Sequence, residues 1–387
     1  MRAFTVACLF GVVCAALALA LSGPTGPEWE QLEQAALADR ERLIQRGGCP
    51  PSPTGNATGV AWSLYAEAAQ RAAGLKTPAA LCALVDGAAD ADRALAAAQA
   101  AALAPALQLL RQGARCAVEA DQAAGVAPGG PPLEILALAD LAVALQGAIR
   151  TQLDQGAWDE AAALACDGIA AGIDLQRLGS LIEATVGSLF VQRALAELDE
   201  PRLATCSDSA RSLLLTMLER LGPLDLLDED LHRREIMSGV LWQREPGSLG
   251  DHELQLRLRA WRNGFSPQRQ ARAWLHRQNR LLLPPTAVAR GWSARRAQIL
   301  QQAEQGEPDP SLVSHQGQPD EPEAFRRQGL LRIHQTQVLL AFLQRKPLPE
   351  LDDPLGDGRL QVEIDGDTLT VRSATEGFVR RVVRKAV

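Results

Sequence analysis

Aromatic residues make up only 4% of this 387-residue sequence, and Tyr65 is its single tyrosine. Because strands favour aromatic and β-branched side chains, this scarcity argues against a β-sandwich or a β-barrel. Lysine is also rare, with three among 39 basic residues, so reactions that need a lysine nucleophile have few candidates. The net charge of −7 and the isoelectric point near 5.4 exclude a globally basic nucleic-acid-binding protein.

Common catalytic signatures are absent as well. The sequence contains no His-Glu-x-x-His, no glycine-rich phosphate loop with its lysine and no Gly-x-Ser-x-Gly. Hydrophobic residues make up 47% of the chain, and alanine and leucine, which both favour helices, dominate them. We therefore predict an all-α fold, an irregular antiparallel helical stack that is weakly tetratricopeptide-like around residues 147–166, with a small β-hairpin at the C-terminus.

The N-terminal segment indicates the compartment. Arg2 precedes an uncharged run over residues 3–21, which ends at a Gly/Pro-rich cluster over residues 22–27. Nineteen helical residues span about 28 Å at roughly 1.5 Å each, close to the thickness of a bilayer core. The pattern predicts a signal peptide or a signal-anchor helix at residues 1–22, cleaved or retained. The rest of the chain is then periplasmic or exported, or held at the inner membrane by a single span.

Five cysteines follow this segment: Cys49, Cys82, Cys116, Cys166 and Cys206. Their spacing matches no zinc-binding pattern. An oxidising compartment permits disulfides, but five thiols leave at least one unpaired, and the pairing stays open. Cys82 and Cys166 lie in Ala/Leu-rich sequence and are interpreted as small buried apolar residues.

The predicted helical body covers residues 27–303 and carries apolar stripes at helical spacing. The stripes are Ala61, Leu64, Tyr65 and Ala68; Leu138, Leu141, Ala142, Leu145 and Ile149; and Leu214, Met217, Leu218 and Leu221. We expect Pro105 to kink or split the helix of residues 88–115. A helix should restart at Gly156-Ala157, and a further one should run from about Asp174 to Leu198.

An acid-free tract over residues 254–303 contains ten arginines and three tryptophans. Since it carries +10, the rest of the chain carries −17 (−7 − 10 = −17). Guanidinium groups bind phosphate-rich surfaces, and tryptophan anchors at lipid interfaces. The candidate polyanion or partner contacts are Trp261, Arg262, Arg269, Arg272, Trp274, Arg295 and Arg296. Alternatively, these arginines pair with acids elsewhere in the chain while the tryptophans pack between helices.

Two groups of acidic residues are candidate cation ligands. Glu229, His232 and Glu235 recur every three residues on one side of a predicted helix, but a di-iron bundle needs a second Glu-x-x-His, and the sequence has none. Their alternative role is an exposed charged face. The second group is Asp352, Asp353, Asp357, Asp365 and Asp367, for which turn chemistry is sufficient, so we predict neither a calcium site nor any other cofactor.

The C-terminal region begins with a Pro-rich linker over residues 304–322, followed by a helix-plus-hairpin segment over residues 323–387. The helix should end near Lys346. Alternating apolar residues then flank Asp365-Gly366, the strongest short-range hairpin signal, and residues 377–384 offer a third strand.

Two motifs carry a family resemblance. They are Asn56-Ala57 with Leu64-Tyr65-Ala66-Glu67-Ala68, and Asp353-Pro354-Leu355-Gly356-Asp357-Gly358-Arg359-Leu360 running on to Ser373. The chain resembles a group of membrane-anchored, mostly helical bacterial proteins that end in an Asp-Pro-Phe-x-Gly-x-Pro-Leu-type hairpin. It departs from them at Leu355, at Arg372 and in its basic tail. The resemblance implies the fold and the anchoring, and it implies no activity.

We predict a non-catalytic helical scaffold or interaction protein of the cell envelope, which binds an unknown envelope protein and no nucleic acid. A metal-dependent or hydrolytic envelope enzyme, centred on Glu229, His232 and Glu235, is one alternative. The other is a module that binds polyanions or anionic lipid through the arginines of residues 257–296.

Overall fold

A computed structural model describes residues 49–75, 78–116, 133–179, 181–221, 321–356, 358–375 and 377–384, with isolated positions between 30 and 45. Helices account for 66% of the described part, and a three-stranded antiparallel sheet lies at its C-terminal end. The predicted all-α fold with a small β element is therefore confirmed. The chain divides into two units, and every element below belongs to the unit formed by residues 44–229 and 284–387. The predicted signal or anchor segment and most of the predicted linker lie outside the described residues.

The described helices are α1 (Ala61–Ala73), α2 (Ala79–Val85), α3 (Arg93–Ala114), α4 (Ile135–Asp154), α5 (Trp158–Leu178), α6 (Leu181–Ala196), α7 (Glu200–Thr205), α8 (Asp208–Leu221) and α9 (Glu321–Leu343). The predicted stripes of α4 and α8 are confirmed, because every one of their residues is buried. Ser207 caps α8, because its hydroxyl accepts a hydrogen bond from the backbone N–H of Ala210 at 3.1 Å.

Helix α5 lies at the centre of this unit and packs against α3, α4, α6 and α8. Its residues from Leu164 to Leu178 are all buried. Alanine and glycine make up much of this stretch, so neighbouring helices approach it from several sides. A helix that is apolar around most of its circumference is stable only when it is surrounded in this way.

The predicted helix from Asp174 to Leu198 is wrong at its start, because α5 continues through Asp174 and ends at Leu178. The break falls at Gly179, whose N–H bonds to the carbonyl of Leu175. A Cβ at Gly179 would lie 2.5 Å from that carbonyl oxygen, so the turn between α5 and α6 requires glycine. Side-chain periodicity does not reveal such a backbone contact.

Of the two outcomes expected at Pro105, a split does not occur, because α3 is one helix from Arg93 to Ala114. Proline lacks the N–H that would bond to the carbonyl of Ala101, four residues earlier. Both Pro105 and Ala101 are exposed, so water can solvate the freed carbonyl. The helix therefore continues past the proline.

Among the described helices, α3 is long and apolar enough to cross a membrane by length and composition. About 28% of its most apolar stretch is buried within the protein. Its buried stripe, which includes Leu103, Leu107 and Leu110, packs among α1, α2, α4 and α5. Core helices of soluble proteins share this length and composition. The apolar run of residues 3–21 lies outside the described residues.

The sheet consists of β1 (Gln361–Asp365), β2 (Thr368–Arg372) and β3 (Val379–Val383) in the order β1-β2-β3. The predicted hairpin and the predicted third strand are both confirmed. Gly366 opens the turn between β1 and β2 with a φ of +57°, which favours glycine. Helix α9 packs against β2 and β3, where Leu369 and Val371 are fully buried.

Candidate functional site

Two buried carboxylates lie on one side of α5. Asp167 and Asp174 are seven residues apart, which is about two helical turns, and they are 0% and 2% exposed. A buried carboxylate is costly unless donors surround it. Here the donors come from α1, α3 and the turn-rich segment of residues 49–57, which we call the N-segment.

Asp167 is held mainly by two arginines of the α3 end. Arg111 Nε donates to Oδ2 at 2.9 Å, and Arg115 Nη2 donates to the same oxygen at 2.7 Å. The Thr54 hydroxyl of the N-segment donates to Oδ1. The hydrogen bond to Asp167 is the main reason that the pKa of Arg115 is raised, and the nearby charge of Glu160 contributes as well.

Asp174 accepts two hydrogen bonds. The Tyr65 hydroxyl donates to Oδ2 at 2.7 Å, and the backbone N–H of Cys49 donates to Oδ1 at 2.7 Å. Burial raises the pKa of Asp174 to about 7, although both donors and the charge of Arg177 act to lower it. Burial and the neighbouring Asp174 raise the pKa of Tyr65 well above its usual value.

A carboxyl group with a pKa near 7 beside a phenol and a thiol has the composition of a proton-transfer site. The burial of these groups argues against proton transfer to a substrate, since Tyr65 is 1% exposed and Cys49 is 5% exposed. Burial, followed by the charge of Asp174, raises the pKa of the Cys49 thiol, which disfavours the nucleophilic thiolate. The two hydrogen bonds to Asp174 instead hold the N-segment and α1 against α5.

Another buried carboxylate, Glu197, joins α2, α4 and α7. Arg150 Nη2 donates to its Oε1 at 2.6 Å, and Arg202 Nη1 donates to its Oε2 at 2.6 Å. Gln146 Nε2 adds a bond to Oε1 at 2.7 Å, while Arg150 also donates to the carbonyl of Leu84. Burial acts to raise the pKa of Glu197, but these donors outweigh it and the pKa is lowered.

A further buried carboxylate, Asp353, closes the loop before β1. Its Oδ2 accepts from the Ser373 hydroxyl at 2.8 Å and from the N–H of Ala374 at 2.7 Å. Its Oδ1 accepts from the N–H of Leu355 at 3.1 Å. A Cβ at Gly356 would lie 2.5 Å from Oδ2, so glycine is required there. These hydrogen bonds thus join Asp353, Leu355 and Ser373 of the C-terminal motif. The other described aspartates of the group, Asp352, Asp365 and Asp367, are exposed.

The five cysteines of the described part are free thiols. Cys166 is fully buried, as predicted, whereas Cys82 is half-buried. Burial is the main cause that raises the pKa of each of these five thiols. Raised pKa values keep the thiols protonated near neutral pH and so limit their reactivity.

The remaining predicted site residues lie outside the described residues. They are Glu229, His232, Glu235, Trp261, Arg262, Arg269, Arg272, Trp274, Arg295 and Arg296. Within the described ranges, no group of three or more His, Cys, Asp or Glu side chains is placed to hold a metal ion. The roles assigned to all ten residues stay predictions.

The sequence analysis missed the two α5 carboxylates, although a signal existed. Between Ala161 and Gln176 they are the only charged residues, and a seven-residue spacing places them on one helix face. Charge on one face of an otherwise apolar helix indicates buried pairing. The partners, however, are 52 to 125 residues away in sequence, and only the tertiary fold identifies them.

Replacing Asp174 with asparagine should remove one component of the pH dependence of stability. The folded-state pKa of about 7 exceeds the unfolded value of about 3.9, so the protonated carboxyl stabilises the fold, and this contribution is lost as pH rises towards 7. At about 1.36 kcal/mol per pKa unit, the wild type should lose about 2.5 kcal/mol between about pH 5 and pH 8 relative to Asp174→Asn. Urea unfolding of both proteins, followed by circular dichroism, measures this difference.

The comparison between the two proteins cancels other titrating groups. Burial lowers the pKa of His334, whose contribution runs in the opposite direction over part of the same range, but it is common to both proteins. Equal pH slopes for the wild type and Asp174→Asn would contradict the assignment of a raised pKa to Asp174.

Comparison of the chain with models of known protein families, with curated proteins and with solved structures finds no match.

Proposed function

We propose that this chain is a non-catalytic protein of the cell envelope, exported or anchored through residues 1–22, whose helical body binds a partner. One observation from the structure supports it above all. The buried carboxylates Asp167, Glu197 and Asp353 are each surrounded by donors that join different parts of the fold. Such groups act as structural fasteners, since a catalytic carboxylate must reach a substrate.

The buried thiols support the same conclusion. A cysteine nucleophile needs a lowered pKa and solvent access, whereas Cys49 and Cys166 are buried and have raised pKa values. The proposed compartment is supported by the apolar run of residues 3–21 and by the resemblance to membrane-anchored helical proteins.

An export reporter tests the compartment. We expect a phosphatase that is active only outside the cytoplasm to be active when fused after residue 30. The matched control carries Leu9→Arg and Leu17→Arg, which place charges in the apolar run and should abolish export, because arginine within such a segment costs about 2.5–3.5 kcal/mol. An inactive wild-type fusion, or an active control, would overturn the proposal.

The arginine tract favours a second candidate, binding of anionic lipid. Ten arginines and no acids occur between residues 254 and 303. If the tract binds headgroups, the full chain should bind vesicles that contain phosphatidylglycerol at low salt and release them at high salt, since screening weakens such contacts. Binding that is indifferent to salt or to lipid charge would eliminate this candidate.

A further inference from the structure

Strand β1 is an open edge of the sheet. Within the described ranges, β2 is its one partner strand. On its other side, the N–H of Leu360 donates to the carbonyl of Leu351 at 3.0 Å. Backbone groups alternate in direction along a strand, so those of Val362 and Ile364 point to this same outer side. Among the described residues, no backbone hydrogen bond reaches them there.

The side chains of Val362 and Ile364 extend the apolar face of the sheet beyond the strands that α9 covers. In the register of the hairpin they stand opposite Val371 and Leu369. These two partners are fully buried under α9, whereas Val362 is 40% exposed and Ile364 is 56% exposed. The apolar face therefore continues by one strand past the helix that covers it.

The opposite face of β1 is acidic. Glu363 and Asp365 are exposed there, and Glu363 makes a long ion pair of 3.6 Å with Arg372. If β1 paired with β1 of a second copy, acidic side chains would face acidic side chains, and like charges directly opposite one another are destabilising. The charge of this edge therefore favours a basic segment and disfavours a second β1.

We propose that β1 accepts an extended segment of a partner protein as a fourth strand, and that this segment alternates aliphatic residues with arginine. Its backbone would pair with the outward groups of Val362 and Ile364, in the manner of β-strand addition. Its aliphatic side chains would cover those two residues, and its arginines would face Glu363 and Asp365. The proposal deepens the proposed function, on which it rests, by assigning partner binding to the sheet edge.

A peptide titration tests the proposal with the full chain in detergent. The probe is a fluorescent synthetic peptide in which valine and arginine alternate, and its control has the same composition in two blocks. We expect the alternating peptide to bind at least about tenfold more tightly, which corresponds to about 1.4 kcal/mol. Its binding should also weaken as salt is added.

Matched variants locate the site. Ile364→Lys should weaken binding by about tenfold, because it places a charge where the peptide needs an apolar contact. Glu363→Arg together with Asp365→Arg should have a similar effect through repulsion. Val383→Lys is the control, since Val383 is 51% exposed but lies on the other edge strand, and it should leave binding unchanged.

Four outcomes would overturn the proposal. Equal binding of both peptides, or equal loss in Ile364→Lys and Val383→Lys, would show general attraction to charge. Self-association that Ile364→Lys abolishes would make a second copy the occupant. If no peptide binds, Glu363 and Asp365 are instead charges that prevent the edge strand from pairing with other chains. None of these results affects the export reporter, so failure here is distinguishable from failure of the proposed function.

Discussion

Gly187→Ala should destabilise the protein by about 3 kcal/mol, near the upper end of the range for overpacking, because α5 and α6 touch backbone to backbone at this residue. A Cβ at Gly187 would lie 2.4 Å from the carbonyl oxygen of Gly172, and a Cβ at Gly172 would lie 2.6 Å from that of Gly187. The obstacle is a rigid helix backbone, which cannot turn aside as a side chain does. The two helices must separate, and packing around Phe190 and Val191 is lost.

Gly329→Ala is the matched control. Gly329 also lies within a helix, α9, but a Cβ there would meet its nearest neighbour, Gln192 Cγ, at 3.8 Å, an ordinary contact. Alanine is favoured over glycine in helices by about 1 kcal/mol, so this variant should be neutral or stabilised. Urea unfolding of both variants measures the difference. A Gly187→Ala protein as stable as Gly329→Ala would contradict the close approach of α5 and α6.

Asp167→Ala should destabilise the protein by about 3–5 kcal/mol, the range for breaking a buried ion pair from one side. The change removes the acceptor shared by Arg111, Arg115 and Thr54, and it leaves a space in the core. Both arginines are partly exposed and can turn to water, which places the expected loss near the lower end of the range. The N-segment should then be held to α5 less firmly, since the bond from Cys49 to Asp174 remains while that from Thr54 is lost, and increased proteolysis within residues 49–57 would show this.

Glu67→Ala removes a carboxylate from an exposed pair and serves as the control. Glu67 pairs with Arg71 at 3.3 Å within α1, and both side chains are about half exposed. Exposed pairs contribute little, so the change should alter stability by less than about 0.5 kcal/mol. If both variants lost the same free energy, the buried network of Asp167 would have no special role in stability.

Much of the architecture could be predicted from local sequence. The stripe from Leu138 to Ile149 identified α4, because leucines at helical spacing must be buried together. The alternation around Asp365-Gly366 identified the hairpin for a similar reason. In both cases the pattern repeats within one element, and no distant residue is needed to interpret it.

The continuity of α3 past Pro105 and the end of α5 at Leu178 have a common cause. Whether proline breaks α3 depended on the exposure of Ala101, whose carbonyl can be hydrated. The end of α5 depended on the approach of the Gly179 backbone to the carbonyl of Leu175. Propensity rules average over such surroundings, so they predict neither the continuity of α3 nor the end of α5.

The contacts of the candidate site were the hardest feature to predict from the sequence. The sequence places Tyr65 in an apolar stripe and in a motif, but the partner of its hydroxyl, Asp174, is 109 residues away. Asp353 has the sequence context of a turn residue, whereas its role is to hold Ser373 and Ala374 across the hairpin. Residue type indicated that these positions matter, and contacts between distant segments determined what they do.

By itself the sequence determined the helical composition, the apolar stripes of the core, the C-terminal sheet and the segregation of charge, because each is a property of neighbouring residues. Only the tertiary structure decided that Asp167 and Asp174 fasten the N-segment, that Gly187 meets Gly172, and that β1 extends beyond the cover of α9. These features arise where chain segments far apart in sequence come together, and their energies depend on burial and distance.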